Sequence, residues 1–73
     1  MAKPEYKFRL KFQFQEIDLA PGKFVIGRSP SCNLTLNDPL VSRKHAQISI
    51  EKKKAYLDDL GSRNGTLVNG EPV

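Results

Sequence analysis

Ser42, His45 and the neighbouring carboxylates Asp58 and Asp59 are the ingredients of a hydrolytic triad, in which a carboxylate orients a histidine base that activates a serine hydroxyl. Two features count against that chemistry. No nucleophile elbow surrounds Ser42, and a chain of 73 residues has little length from which to build a substrate cleft. His45 is therefore expected to be a hydrogen-bonding strand residue, and the chain is expected not to be an enzyme. Cys32 is the one cysteine. It has no partner for an internal disulfide and no companion at metal-ligand spacing, so neither a metal nor another cofactor is expected. What remains is positive charge. Twelve Lys and Arg against eight Asp and Glu give +4, which favours an anionic partner: nucleic acid, an acidic protein or phosphate. Charge alone does not choose among these.

The elements that would hold such groups are strands. Apolar residues make up 38% and charged residues 27% of the chain, an ordinary globular composition. The apolar run Phe24-Val25-Ile26 is far shorter than the roughly 20 residues a membrane helix needs. Met1-Ala2-Lys3-Pro4-Glu5 leads into charged sequence without an apolar centre, so no secretory signal is read and a cytoplasmic, intracellular setting is expected. From Tyr6 to Phe14 apolar and polar residues alternate, with Tyr6, Phe8, Leu10, Phe12 and Phe14 on one face, which predicts a half-buried strand. Glu16 to Leu19 continues extended to Ala20-Pro21-Gly22-Lys23, a turn about which this segment is expected to pair with Phe24-Val25-Ile26.

Further along, Ser29-Pro30-Ser31-Cys32 reads as loop, Leu34-Thr35-Leu36 as a short strand and Asn37-Asp38-Pro39 as a turn. Ala46, Ile48 and Ile50 alternate with His45, Gln47, Ser49 and Glu51, predicting a strand over 44–51. Lys52-Lys53-Lys54 reads as the exposed turn into Ala55–Leu60. Asn69-Gly70 is a strong hairpin signal because both residues tolerate positive φ. Six or seven short antiparallel strands in one domain, 1–73, imply a sandwich or a small barrel.

Composition and periodicity thus suit a phosphate reader and a basic nucleic-acid-binding barrel equally. In the second, Phe8, Phe12 and Phe14 would form a base-stacking platform and Lys52–Lys54 a phosphate patch. Because the whole apolar set lies on one face of one strand, core packing is the expected role, and Lys52–Lys54 is expected to be a solvated hairpin tip. The motifs separate the two readings. Gly27-Arg28-Ser29 is followed, fourteen residues after Arg28, by Ser42-Arg43-Lys44-His45-Ala46, then by Gly61-Ser62-Arg63-Asn64-Gly65-Thr66 and Val68-Asn69-Gly70. In type, order and approximate spacing these blocks resemble the signature of forkhead-associated (FHA) domains over Phe24–Gly70.

The resemblance implies an FHA-like β-sandwich that binds a phosphothreonine on a partner protein in signalling. Phosphothreonine carries about −1.5 to −2 charge and three strong acceptor oxygens. On this resemblance Arg28 supplies a fixed guanidinium fork, Ser42 a hydroxyl donor, and Asn64 an amide that holds the peptide main chain beside the phosphoresidue. Arg43 and Arg63 flank those positions, where they add phosphate contacts, steer acidic peptides or point into water. Gly27, His45, Gly65, Thr66 and Asn69 support the binding loops, Gly27 by close backbone approach and His45 as a brace. Leu40 and Val41 would favour an apolar side chain three places after the phosphothreonine. Selecting threonine over serine rests on one methyl, worth only about 0.8 kcal/mol by burial, so it needs shape as well.

FHA domains continue past the Val-Asn-Gly block with further strands, whereas Glu71-Pro72-Val73 ends this sequence. The resemblance therefore implies a sandwich lacking its last strands. It also implies an exposed edge beside the first strand, explained by a shortened sequence, by a homodimer through strand exchange or by completion with another chain, and it leaves a further reading, a self-associating FHA scaffold in which Arg28 is only a surface charge.

Overall fold

The computed structural model describes residues 8–12 and 14–73. Among the described residues there is no helix. Eight strands follow one another: β1 (Phe8–Phe12), β2 (Gln15–Leu19), β3 (Gly22–Gly27), β4 (Leu34–Thr35), β5 (Ala46–Glu51), β6 (Lys54–Asp59), β7 (Leu67–Val68) and β8 (Glu71–Pro72). They form a β1-β2 hairpin, a four-stranded sheet in the order β4-β3-β5-β6, and a β7-β8 hairpin.

The alternation in β5 makes it the centre of the molecule. Ala46, Ile48 and Ile50 are buried, while Gln47 and Ser49 face the other side. Directly paired residues share a face of a sheet, so the register aligns Phe24, Ile48 and Leu57 in one apolar row and Ile26, Ala46 and Asp59 in the next. The hairpin closes over this face: Leu19 joins Ile48 and Ile50 in the core, and Phe8, Leu10 and Ile17 pack against them. Burying each such side chain contributes about 1.5–3 kcal/mol. A cavity of about 360 Å³ remains between the layers, lined by residues that include Leu10, Phe12, Ile26, Ile48, Leu57 and Leu67.

Several expectations change. Phe14 is in the β1-β2 turn and fully exposed rather than on the apolar face, because the chain reverses right after Phe12, with Phe12 paired to Gln15. Tyr6, Lys7 and Gln13, also assigned to that strand, lie outside the described residues. β2 does not pair with β3: it pairs with β1 instead, while β3 pairs with β5 along one edge and with β4 at Ile26 and Gly27 on the other. Gly22, at φ 115, instead carries the chain across from one layer to the other, a backbone conformation glycine reaches without steric cost.

The pairing is not wholly antiparallel either. β4 runs parallel to β3, with Ile26 opposite Leu34 and Gly27 opposite Thr35. The intervening loop turns the chain through a full reversal and back, held by Cys32 N–H to Ser29 O at 3.0 Å and Val25 N–H to Asn33 Oδ1 at 2.8 Å. The Asn69-Gly70 turn forms as its dipeptide predicts, with φ of 51 and 83.

Candidate functional site

The end of β3 sets the geometry. Beyond Gly27 the chain keeps pairing with the segment ahead of β5: Arg28 N–H donates to Ser42 O at 3.0 Å and Ser29 N–H to Arg43 O at 3.1 Å, while His45 N–H donates to Ile26 O at 2.8 Å. Two stretches fourteen residues apart in sequence are thereby stitched side by side, with Arg28 next to Ser42. Gly27 is needed for close approach rather than for an unusual φ. A Cβ there would lie 2.1 Å from Arg43 O and 3.0 Å from the Cys32 sulfur. Cys32 is buried behind this crossing and donates its thiol hydrogen to Arg43 O at 3.2 Å.

His45 ties this ladder to the loop after β6. Its Nδ1 is 3.0 Å from the Ser42 backbone N–H and must accept, so Nε2 holds the ring proton and donates to Gly65 O at 2.8 Å. Both ring nitrogens are engaged with backbone. Ser42 Oγ is bonded not to the histidine but to Arg63 N–H at 3.1 Å. The Ser42–His45–carboxylate arrangement of a triad is therefore not assembled. Because Ser42 Oγ accepts from Arg63, its own hydroxyl hydrogen stays free to donate, with no acceptor among the described residues.

The loop at 60–66 is held from below by Asp59. Its carboxylate accepts from Ser62 N–H at 2.7 Å, from Ser62 Oγ–H at 2.6 Å and from Thr66 Oγ1–H at 2.6 Å, and Ser62 Oγ in turn accepts from Gly65 N–H at 3.0 Å. The hydroxyls of Ser62 and Thr66 and the Ser62 amide hold the Asp59 carboxyl well below the usual carboxylate range. Gly61 and Gly65 take φ of 76 and 82 to make the bends. The loop so fixed presents Asn64, whose Nδ2 donates to Leu40 O at 2.7 Å across the gap. The Asn64 amide thus spends one donor on the protein and keeps its Oδ1 and a second N–H for a ligand.

Together these loops enclose a recess of about 220 Å³ lined by Arg28, Pro39, Leu40, Val41, Ser42, Arg43, Arg63 and Asn64. All five residues expected to touch a ligand, Arg28, Ser42, Arg43, Arg63 and Asn64, therefore line one surface, although they come from three separate loops. Gly27, His45, Gly65 and Thr66 stand behind it in the roles just described. Asn69 does not: it forms the β7-β8 turn and lines the apolar cavity instead. Arg28, Arg43 and Arg63 are exposed, and the ion pairs among the described residues belong to Arg9 alone. Sequence reasoning missed Asp59 and Ser62 as supports. The Asp59-Leu60-Gly61-Ser62 spacing was the available signal, since aspartate commonly accepts from the backbone and hydroxyl groups of a following turn.

A family model described as FHA domain matches residues 24–73. The glycogen accumulation regulator GarA of Mycobacterium tuberculosis is 47% identical over 47 residues, which are 64% of this chain and 29% of that protein. The oxoglutarate dehydrogenase inhibitor of Corynebacterium glutamicum is 46% identical over 46 residues, 63% of this chain and 32% of that protein. The chain thus spans about a third or less of these relatives. A solved structure from a structural and functional analysis of phosphothreonine-dependent FHA domain interactions superposes with a TM-score of 0.74 at 41% identity, over 81% of this chain and 62% of that one. The match from residue 24 to residue 73 takes in every side chain that lines the recess, and this chain belongs to the forkhead-associated (FHA) domain family.

Proposed function

We propose that the chain is a phosphothreonine-dependent peptide-binding module without catalytic activity, acting inside the cell as one domain over residues 1–73. The observation that carries this reading is the recess itself, where three arginines with no ion pair among the described residues surround a free serine hydroxyl and a half-used asparagine amide. Recognition of a phosphorylated motif by arginines on a rigid scaffold is a general binding mode, and FHA modules are one named example of it. Arg28 takes the phosphate through its guanidinium fork, with the Ser42 hydroxyl donating beside it. Arg63 and Arg43 add charge at the rim. Asn64 Oδ1 accepts from the peptide backbone while its Nδ2 keeps the two loops together through Leu40 O. Pro39, Leu40 and Val41 supply the apolar part of the lining and favour an apolar side chain downstream of the phosphothreonine.

The nucleic-acid reading loses its platform. Phe8 packs against the core, Phe12 lines the apolar cavity and Phe14 stands alone in a turn, so these three phenylalanines offer no row of faces to stacked bases. The test is a titration of a degenerate phosphothreonine peptide library against the same library unphosphorylated. Each charge-assisted hydrogen bond contributes about 1.5–3 kcal/mol, so two of them make the phosphorylated library bind about a hundredfold tighter or more. Equal affinity for the two libraries would sink the reading.

A further inference from the structure

Arg28 borders a second depression. Next to the recess just described, a shallow basin of about 390 Å³ is lined by Arg28, Ser29, Pro30 and Arg43, so Arg28 and Arg43 line both hollows. Among the described residues no carboxylate lines either one. The backbone under these two arginines is tied on both sides: Arg28 N–H donates to Ser42 O and Ser29 N–H to Arg43 O, which sets Arg28 beside Ser42 and Ser29 beside Arg43, and Cys32 N–H to Ser29 O closes the turn. Ser29 Oγ lies 2.9 Å from Ser31 Oγ and accepts from Ser31 N–H at 3.3 Å. One hydroxyl hydrogen is used between the two serines, and the other has no acceptor among the described residues.

The charge balance points the same way. Arg28, Arg43 and Arg63 bring three positive charges to the pair of hollows, while one phosphothreonine brings only about −1.5 to −2. Roughly one unit of positive charge stays uncompensated when the first recess is filled. Guanidinium groups match planar carboxylate and phosphate oxygens through paired N–H donors, and a serine hydroxyl adds a further donor at the edge.

We propose that the basin between Arg28 and Arg43 is a second oxyanion subsite, which takes an acidic side chain or a second phosphate on the same peptide that carries the phosphothreonine. The proposal rests on the phosphopeptide reading and names a preference within it. An extended peptide advances about 3.3–3.6 Å per residue, and the two hollows share Arg28 and Arg43. The second anion therefore belongs within about three residues of the phosphothreonine.

The experiment is a glutamate scan. In an otherwise neutral phosphothreonine peptide, glutamate is placed in turn at each of the three positions on either side, and affinities are read by fluorescence polarisation at two salt concentrations. A second phosphothreonine then replaces glutamate at the best position. Glutamate at one or two positions is expected to tighten binding about two- to fivefold at low salt, the size of an exposed ion pair, and less at high salt. The second phosphate should exceed that gain. The ratio of affinities with and without glutamate is expected to fall to about one in Arg43→Gln and to survive in Arg63→Gln, whatever either substitution does to the neutral phosphopeptide.

A scan in which glutamate changes nothing at any position, while the phosphopeptide still binds, overturns the subsite and leaves the parent reading standing. A glutamate gain that survives Arg43→Gln also overturns it, because the acidic side chain then binds elsewhere. Absence of binding by every phosphorylated peptide overturns both.

Discussion

Arg9 and Arg28 are both exposed arginines, and the structure treats them in opposite ways. Arg9 lies in β1 directly across from Asp18 of β2. Its Nε donates to Asp18 Oδ1 at 2.8 Å and its Nη1 to Glu16 Oε2 at 3.3 Å. The hydrogen bond and charge of Asp18, with the charge of Glu16 behind it, raise the Arg9 pKa further above its already high value. Arg28 has its backbone locked by Ser42 O and flanked by the tie from Ser29 to Arg43, yet among the described residues no carboxylate pairs with its side chain. On the hairpin, strand pairing sets a cation opposite an anion and the charge is used up within the protein. At the loop end, backbone hydrogen bonds fix where a cation stands and leave its field directed outward. A well-placed charge left uncompensated is available to a ligand, as the proposed function requires of Arg28, whereas a compensated one is spent within the protein.

The sharpest way to break this comparison is to remove each arginine in turn. Arg28→Ala is expected to weaken phosphopeptide binding by about a hundredfold or more, the loss of at least two charge-assisted hydrogen bonds, with the melting temperature little changed. Calorimetric titration and a thermal melt on the same sample check both halves. Unaltered affinity would mean that the phosphate does not sit at Arg28. Next in size is Gly27→Ala, which keeps every charge and disturbs only the crossing. Its Cβ would lie 2.1 Å from Arg43 O, the acceptor of Ser29 N–H, so the Ser29–Arg43 pairing beside Arg28 must shift, and overpacking of this kind costs about 1–3 kcal/mol. Denaturant unfolding should show that loss of stability, and the phosphopeptide should bind more weakly even though Arg28 is intact. If stability falls and affinity holds, the side chain's placement by the backbone ladder is not what makes the site.

These two residues also show what the chain discloses before folding and what it does not. Alternation of Ala46, Ile48 and Ile50 identified the central strand because period two has one physical cause, a pleated segment with one face buried. Asn69-Gly70 identified its hairpin because few other dipeptides accept two positive φ values. The motif blocks identified Arg28, Ser42 and Asn64 as candidates, and the recess brings all three together. The layer change at Gly22 was not legible, since Pro21-Gly22 is equally good chemistry for a hairpin, and the pairing of β2 with β1 and of β3 with β5 is a tertiary choice that the dipeptide does not encode. Parallel pairing of β4 was hidden for a similar reason: two residues carry no directional pattern. In sequence Asp59 reads as a candidate triad carboxylate, and its role as the anchor of Ser62 and Thr66 depends on distances that periodicity does not encode.

A smaller effect probes how the outward-facing side is kept in order. Asp59→Asn removes the charge that gathers the Ser62 amide and two hydroxyls, so the loop bearing Asn64 should loosen and phosphopeptide affinity should fall about tenfold, the size of one lost charge-assisted bond. Faster hydrogen exchange at the amides of Ser62 and Gly65 would accompany it. Asp59 also predicts a pH dependence of stability. Its folded pKa is depressed, so its contribution is complete above the unfolded value of about 3.9 and disappears as pH falls through the lower folded value. Acid unfolding in Asp59→Asn should accordingly lose part of its steepness below about pH 4. Binding should weaken at higher pH than this, because the phosphate sheds its second negative charge as pH falls through about 6. Affinity at pH 5 should be below that at pH 7.5 while the melting temperature stays level, and an affinity that is flat over this range would show that the doubly charged phosphate is not what Arg28 reads.

Arg9→Ala should produce the smallest change, and it closes the comparison from the other side. The guanidinium of Arg9 is about as exposed as a rim charge, with 59% of its side chain open to solvent, and ion pairs in that setting are screened and contribute little. Melting temperature should move by less than about 4 °C, and phosphopeptide affinity should not move at all, although the substitution removes one unit of positive charge just as Arg28→Ala does. If instead Arg9→Ala weakens binding as strongly as Arg28→Ala, net charge is steering the ligand and the local geometry of the recess is secondary. A raised salt concentration separates the two cases: long-range steering collapses with screening, whereas a guanidinium in direct contact with a phosphate keeps most of its effect.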